Sequence, residues 1–290
     1  MENWCNIVIP CRASDGRCSA AAERLLSQSD TPFLNVVLVI NGSEAEAVHI
    51  DDSLHQAFTE RGWTLTTLRR SVLGKVSALN AGDMQLVDGS IVYLDDDVVL
   101  SSNAVRHIHR SLSARQSPAI ALVPPRRHDM KSFICRSYFQ FLAQTPYCKL
   151  WLPGNGMYAV NPAGRSRWME FPPICSDDTF VRLRFDESEL IRLDSCYALT
   201  SAPDNPLTLM RVRARWCRGS RVARARSKRQ RGIRRNRCSG ILGSCIRHPL
   251  MLRHAPGFVL VVAGSWIWRL IDRQAGSVSA WQPHHQQSQA

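Results

Sequence analysis

Three consecutive carboxylates, Asp95-Asp96-Asp97, follow directly on the apolar run 91–94. Adjacent carboxylates repel one another, so the cluster costs stability unless a cation or a set of hydrogen-bond donors compensates. One interpretation is a site for a hard cation, because Mg²⁺ and Mn²⁺ are held by one or two carboxylates together with water and phosphate oxygens. The alternative is a polar turn that caps a helix beginning near Asn103.

A second acidic pair, Asp177-Asp178, stands at the start of a predicted helix. A carboxylate at that position commonly caps the helix. The chemical alternative is a general base that takes a proton from an acceptor hydroxyl, which requires a carboxylate separate from the metal-binding group.

Three further segments have residue types that suit an anionic ligand. Gly74-Lys75 opens a predicted helix whose N-terminus and lysine can both face an anion. Residues 154–156, Gly-Asn-Gly, allow the backbone to approach a ligand closely. Arg213, Arg215 and Trp216 combine guanidinium groups, which bind phosphates bidentately, with an indole. The alternative for Arg213 and Arg215 is that they begin a polybasic stretch in which Trp216 is a membrane or core anchor.

The elements that must position these residues alternate along the first half of the chain. Apolar runs bounded by turn residues predict strands, and stretches of helix formers between them predict helices: strands at 6–10, 34–40, 64–68, 90–94 and 119–123, with helices at 20–28, 44–61, 75–86 and 103–115. This alternation predicts an α/β fold with a mostly parallel sheet, whose ligands bind beyond the carboxyl ends of the strands. From residue 131 the alternation degrades, and only a helix at 177–185 and a strand at 190–197 are predicted.

Composition supports a globular chain with a basic C-terminal part. The 290 residues are 44% hydrophobic and 21% charged, which excludes wholesale disorder. The net charge is +13, but residues 205–271 hold sixteen of the 37 Lys and Arg and no acid, leaving 21 basic against 24 acidic residues elsewhere. The first residues form no basic and apolar leader, and the cysteine spacing contains no CxxC pair, so we expect reduced thiols in the cytoplasm and no zinc site.

The order and spacing of the motifs over about three-quarters of the chain resemble a family 2 glycosyltransferase of the GT-A fold. The motifs that carry the resemblance are Ile7-Val8-Ile9-Pro10, Val39-Ile40-Asn41-Gly42-Ser43, Gly74-Lys75 with Ala78-Leu79-Asn80, Tyr93-Leu94-Asp95-Asp96-Asp97, Gly154-Asn155-Gly156, Asp177-Asp178 and Arg215-Trp216.

The resemblance implies a role for each motif. Asp95 and Asp97 match the two acids of the family's DxD motif, which holds Mg²⁺ or Mn²⁺, with Asp97 the direct metal ligand and Asp95 also near the ribose. Asp178, with Asp177 beside it, matches the catalytic base. The remaining matches fall on the donor-binding residues Pro10, Asn41, Lys75, Asn80, Asp95, Asp96, Gly154, Asn155, Gly156, Arg215 and Trp216.

Some positions depart from the family pattern. Asn41 replaces an aspartate that contacts the nucleotide base, and Cys11-Arg12-Ala13 replaces a Thr-Tyr-Asn-like triplet. Val212 replaces the glutamine of processive synthases, which argues against a chain-extending polymerase.

The expected activity is inverting, metal-assisted transfer of a sugar from a nucleoside-diphosphate sugar, with UDP preferred, to a hydroxyl of a glycan or lipid-linked acceptor. The expected organisation is a GT-A domain over 1–204, a basic and apolar segment over 205–271, and a polar tail over 272–290.

The apolar run 255–268 contains fourteen uncharged residues, fewer than the roughly twenty that a bilayer span needs. It therefore predicts an interfacial or re-entrant segment, or a short span extended to Ile271. Flanking arginines favour anionic lipid at the cytoplasmic face, where we expect a peripheral or singly anchored protein.

Two other classes of function stay open. Asn41 and Val212 are compatible with a catalytically degenerate GT-A scaffold. A nucleic-acid-binding protein could use the arginines of 211–237, but that stretch has only Trp216 as an aromatic for stacking on bases, which disfavours this class.

Overall fold

The computed structural model describes residues 4–127, 129–145, 148, 156–225 and 237–274. The strands are β1 Trp4–Arg12, β2 Phe33–Asn41, β3 Thr64–Arg70, β4 Gly89–Leu94, β5 Val99–Leu100, β6 Ile120–Leu122, β7 Pro125–Arg127, β8 Met157–Val160, β9 Leu190–Arg192 and β10 Ala198–Thr200. The α-helices are α1 Cys18–Glu23, α2 Asp52–Glu60, α3 Lys75–Asp83, α4 Ala104–Ser113, α5 Phe133–Gln144, α6 Pro162–Arg165, α7 Asp177–Arg182, α8 Pro206–Ala225, α9 Arg237–Arg247 and α10 Ala255–Gln274. Short 3₁₀ helices occupy Ala13–Asp15, Arg24–Ser27, Ala45–Ala47, Glu187–Glu189 and Pro249–His254.

The chain divides into two compact units. The first unit contains Met1–Arg126, Asn155–Ile174 and Phe185–Thr200, and the second contains Arg127–Gly154, Cys175–Arg184 and Ser201–Ala290. The sequence predicted a boundary at residue 204, but in the structure two segments before that residue pack with the C-terminal helices.

The first unit is built on a seven-stranded sheet of order β3-β2-β1-β4-β8-β6-β9. Its neighbouring strands are parallel except for β8, which runs antiparallel to both β4 and β6. The strand order reverses between β1 and β4, and such a switch point opens a crevice at the carboxyl ends of the strands. The predicted α/β fold with a mostly parallel sheet is confirmed, and the three aspartates follow β4 at this crevice.

Both faces of the sheet are covered, which explains the continuous apolar runs. Along β2, Val36, Leu38 and Ile40 are fully buried in the main core of the unit. The alternate residues Val37 and Val39 are equally buried, but in a separate cluster with Ala78 of α3. A strand buried on both faces has apolar residues at every position instead of alternate ones.

Strand β1 continues through the proline at which the sequence predicted it to stop. Its pairing with β4 ends at Val8, whereas its pairing with β2 continues to Arg12. Pro10 therefore lies where the strand has one neighbour, and proline, which has no N–H to donate, is tolerated at such edge positions. The predicted nucleotide-binding residue Pro10 is buried in this strand.

The second unit is helical and contains an element that the sequence analysis did not predict. Residues 133–144 form α5, and the side chain of Ser132 caps it by accepting a hydrogen bond from the Cys135 N–H at 3.3 Å. The Asp204 carboxylate accepts hydrogen bonds from the N–H groups of Lys131 and Ser132 at 2.9 and 2.8 Å. Helices α5, α8 and α10 share an apolar cluster that contains Tyr138, Phe139, Leu209, Met210 and Val261.

Candidate active site

The turn after β4 contains Asp95, Asp96 and Asp97, and we call it the acidic turn; its three carboxylates differ in exposure. The side chain of Asp95 is 34% exposed and Asp97 is partly exposed, whereas Asp96 between them is buried. The turn is held by two backbone hydrogen bonds, in which Asp95 N donates to Gly156 O at 2.7 Å and Val98 N donates to Asp95 O at 3.1 Å. The outer two acids are therefore the ones available to a ligand.

Asp96 serves the interior of the first unit. Its Oδ1 lies 3.7 Å from the Arg17 guanidinium, and its backbone carbonyl accepts a hydrogen bond from Arg24 at 2.9 Å. Burial raises the pKa of its carboxyl to about 6, although the Arg17 charge acts in the opposite direction. Asp96, predicted to bind the donor, is thus placed to hold the β1–α1 segment against the acidic turn.

Lys75 lies directly beside the acidic turn. It is the first residue of α3, and its Nζ is 2.7 Å from Asp95 Oδ1. The ammonium group therefore offsets the repulsion between the neighbouring carboxylates. It also adds positive potential next to the predicted diphosphate site. The structure thus brings into contact two residues that were predicted to bind the nucleotide-sugar donor, Lys75 and Asp95.

Asn41 ties together the backbone around this site. Its side chain is fully buried; Nδ2 donates to Cys11 O at 2.6 Å and Oδ1 accepts from Gly74 N at 3.0 Å. The amide thus joins the ends of β1 and β2 to the start of α3. An aspartate could accept from Gly74 but could not donate to Cys11, which explains why an amide suits this position. Asn41 was predicted to contact the nucleotide base, but its Nδ2 and Oδ1 both make hydrogen bonds within the chain.

Gly156 opens the space next to Asp95. Its φ is +69°, a left-handed conformation that favours glycine. A Cβ at this position would lie 2.5 Å from Val98 Cγ2 and 3.4 Å from Asp95 Oδ2. The predicted partners Gly154 and Asn155 lie outside the described residues.

Asn80 lies farther along α3 and holds a loop. Its Nδ2 donates to Phe171 O at 3.0 Å, and its Oδ1 accepts from Phe171 N at 2.8 Å. These paired bonds secure the backbone after α6. The structure therefore gives Asn80, a predicted donor-binding residue, a positioning role within the first unit.

The second acidic pair opens α7 in the second unit. Asp177 is 4% exposed, whereas Asp178 is partly exposed and its Oδ1 accepts from the Thr179 N–H at 2.6 Å. Helix α8 crosses this turn at Gly219, where a Cβ would lie 2.7 Å from Ser176 Oγ. Close packing of α7 on α8 thus depends on the glycine.

Arg215 and Trp216 lie on α8, one turn before Gly219. Both side chains are partly buried, and Trp216 packs against the apolar cluster that α5, α8 and α10 share. This packing is what the alternative role considered for Trp216, a core anchor, requires. Within this unit the acidic pair and the Arg-Trp pair are carried by two helices in direct contact.

The donor set at the acidic turn suits a divalent cation that is shared with a ligand. Asp95 and Asp97 are the partly exposed carboxylates, and the missing Cβ of Gly156 leaves room beside Asp95 Oδ2. Among the described residues, no group of three or more His, Cys, Asp or Glu could hold a metal. Mg²⁺ and Mn²⁺ do not need such a group, because substrate phosphates and water complete their shell.

Two residues near the acidic turn were missed by the sequence analysis, namely Arg17 and Arg24. Both hold Asp96 from the segment after β1. Their only sequence signal is a basic character close to a strand end, which surface arginines share. Their role depends on a partner more than seventy positions away.

Comparison with solved structures identifies the fold. The mannosyltransferase PcManGT from Pyrobaculum calidifontis, solved with GDP-Man and Mn²⁺, aligns with a TM-score of 0.56 and 17% identity over 96% of this chain and 77% of that one. S. aureus TarS aligns with a TM-score of 0.46 and 15% identity over 78% of this chain, which spans 40% of the length of that protein. The TarS fragment 1–349 aligns with a TM-score of 0.49 and 12% identity over 96% of this chain and 93% of the fragment.

A scan of protein-family models and a search of curated proteins give no match. The fold assignment therefore depends on the sheet order, the switch point beside β4 and the alignment with the mannosyltransferase. On that evidence, the chain has the GT-A glycosyltransferase fold.

Proposed function

We propose that this protein is an inverting glycosyltransferase that moves a sugar from a nucleoside-diphosphate sugar, with UDP as the expected nucleotide, to a hydroxyl of a glycan or lipid-linked acceptor. The observation that carries the proposal is the acidic turn after β4. It presents Asp95 and Asp97 beside Lys75 and the space at Gly156, at the switch point of a GT-A sheet.

The residues of the first unit would bind and orient the donor. Asp95 and Asp97 would hold Mg²⁺ or Mn²⁺, which when bound neutralises charge on the departing diphosphate. Lys75 adds a positive charge on the same side, and Asn41 keeps the start of α3 in place through Gly74. A site organised before the donor arrives does not have to reorganise during the reaction.

The residues of the second unit would serve the acceptor and the leaving group. Asp178 would take the proton of the acceptor hydroxyl while the oxygen forms its bond to the anomeric carbon and the bond from that carbon to the diphosphate breaks. Arg215 would add positive potential for the diphosphate. Asp177 is buried, so we assign it the support of the α7 turn.

Membrane association is part of the proposal because a lipid-linked acceptor is presented at a membrane surface. The basic segment from residue 205 and the apolar helix α10 support it. We propose that the protein works at the cytoplasmic face.

The test of transfer uses purified full-length protein, Mn²⁺ and a panel of UDP-, GDP-, dTDP- and CDP-sugars, with release of nucleoside diphosphate as the readout. Asp178→Asn should abolish release and keep the fold. The control Asp51→Asn, at an exposed carboxylate that belongs to neither acidic motif, should leave release unchanged. Turnover that survives in Asp178→Asn would contradict its assignment as the base. The anomeric configuration of the product, read by NMR, tests inversion.

A catalytically degenerate scaffold is the second candidate, and the internal engagement of Asn41 favours it. A scaffold of this kind would release no nucleoside diphosphate from any donor of the panel. It would also bind no nucleotide in a cation-dependent way.

A further inference from the structure

Helix α10 has an outer face that is apolar throughout. We call this face the outer stripe; its members are Pro256, Val259, Leu260, Ala263, Trp266, Ile267, Leu270 and Ile271. They are spaced three or four residues apart or adjacent, which places them on one side of a helix. Each is exposed, and the exposed fraction reaches 63% at Trp266. An exposed apolar strip of this length marks an interaction surface.

The opposite face of α10 is fixed to the second unit. A Cβ on Gly257 would lie 2.7 Å from Ser137 Cβ of α5, and a Cβ on Gly264 would meet the Met210 side chain of α8. The ring of Phe258 stacks on Phe141 of α5 at a centroid distance of 4.4 Å. These contacts hold α10 in place on α5 and α8 and leave the outer stripe exposed.

Charged groups of α8 contact this inner face. Arg213 donates to Ser265 Oγ at 2.6 Å, and Arg211 lies over the Trp268 ring at 4.3 Å. If α10 crossed a bilayer with these contacts intact, it would carry both guanidinium groups into the hydrocarbon, which is costly. The stretch Pro249–Ile271 is long and apolar enough to span, but the packing of its inner face opposes that arrangement.

The length of the outer stripe also argues against a bilayer span. From Pro256 to Ile271 a helix rises about 24 Å at 1.5 Å per residue, less than the roughly 30 Å of a hydrocarbon core. A helix that lies in the plane of the interface needs no minimum length, because it buries only one face.

The charges beside the outer stripe select the partner. Ile246, Leu250 and Leu252 are exposed before α10, and the exposed cations Arg247 and Arg253 alternate with them. Residues 205–271 contain no acid. Apolar side chains with exposed cations between them match the interface of an anionic bilayer, which attracts basic residues near its surface.

We propose that α10 lies in the plane of an anionic bilayer surface, with the outer stripe among the acyl chains and Arg247 and Arg253 on the lipid headgroups. This deepens the membrane association proposed above by stating how the protein binds. It does not depend on which sugar is transferred.

The binding test is sedimentation of the full chain with vesicles of phosphatidylcholine containing 30% phosphatidylglycerol, compared with phosphatidylcholine alone. Ile267→Glu combined with Leu270→Glu should lower partitioning into the anionic vesicles at least tenfold, because it places two charges in the stripe. Met84→Glu, at an apolar residue of the first unit that is even more exposed, is the control and should bind as wild type does. Equal binding of wild type and the stripe variant would overturn the proposal.

Three further readouts separate the interfacial arrangement from a bilayer span and from a dimer. Bound protein should be released by alkaline carbonate, and a C-terminal tag should stay open to protease outside the vesicles; resistance to both treatments would show a span and overturn the proposal. Light scattering that shows a wild-type dimer, absent in the stripe variant and without vesicle binding, would assign the stripe to a second copy instead. Nucleotide-dependent thermal shifts should be the same in the stripe variant and wild type, so failure of the catalytic proposal is read separately.

Discussion

Replacement of Gly156 by alanine tests the geometry of the acidic turn. The backbone there has a φ of +69°, and an added Cβ would lie 2.5 Å from Val98 Cγ2, a side chain that is 3% exposed and has little room to move. The left-handed conformation costs a non-glycine residue about 1–2 kcal/mol. Overpacking against Val98 adds about 1–3 kcal/mol. We therefore expect Gly156→Ala to lower the free energy of unfolding by about 2–5 kcal/mol.

Gly16 provides a matched control because its φ is +63° and a Cβ there meets nothing within 4 Å. Gly16→Ala should lose only the backbone contribution of about 1–2 kcal/mol. The excess at Gly156 should disappear in a Val98→Ala background, which gives a coupling of about 1–3 kcal/mol in a double-mutant cycle. The assay is urea unfolding of all variants followed by circular dichroism.

The same substitution should weaken ligand binding, because Gly156 O accepts the hydrogen bond from Asp95 N. We expect Mn²⁺-dependent nucleotide affinity to fall roughly tenfold, which corresponds to about 1.4 kcal/mol. Equal stability losses at Gly16 and Gly156, with no coupling to Val98, would refute the proposed packing of Gly156 against the turn.

Two further substitutions test contacts that position the site. Asn41→Asp removes the donor to Cys11 O and places a carboxylate against that carbonyl, so we expect a loss of about 1–3 kcal/mol. Burial raises the pKa of the new carboxyl above its unfolded value, so the loss in free energy of unfolding relative to wild type should be larger at pH 8 than at pH 5. An equal loss at the two pH values would contradict this. Gly219→Ala should reduce turnover by moving α7 away from α8, and Ser176→Gly should restore part of it by removing the hydroxyl that the new Cβ meets at 2.7 Å. Turnover measured with the best donor decides, and an unaltered Gly219→Ala enzyme would show that this contact does not set the position of the acidic pair.

The sheet could be predicted because its signal is local. Apolar runs and turn residues within ten positions of each other indicated β1, β2, β3 and β4, and the acidic turn followed from the end of β4. Helix α5 was missed because the alternation of predicted strands and helices degrades from residue 131. The signal that was overlooked is Ser132, a good N-cap residue immediately before the helix.

The division of work among the site residues could not be predicted in the same way. Three identical carboxylates in a row do not indicate which one turns inward. The Asp96 carboxylate lies beside Arg17 of another segment, and Arg24 of the same segment holds the Asp96 backbone carbonyl. Asn41 likewise acts on Cys11 and Gly74, about thirty positions away on either side. Such roles depend on tertiary contacts, which a motif does not encode.

The most direct test of the central claim measures the melting temperature with UDP, GDP, dTDP or CDP, each with and without Mn²⁺, for wild type and Asp97→Asn. A ligand that binds only the folded protein must stabilise it. We predict that one nucleotide raises the melting temperature of wild type only when Mn²⁺ is present, and that Asp97→Asn abolishes the increase. No increase with any nucleotide, or an equal increase in Asp97→Asn, would contradict the account of a metal-assisted donor site at the acidic turn.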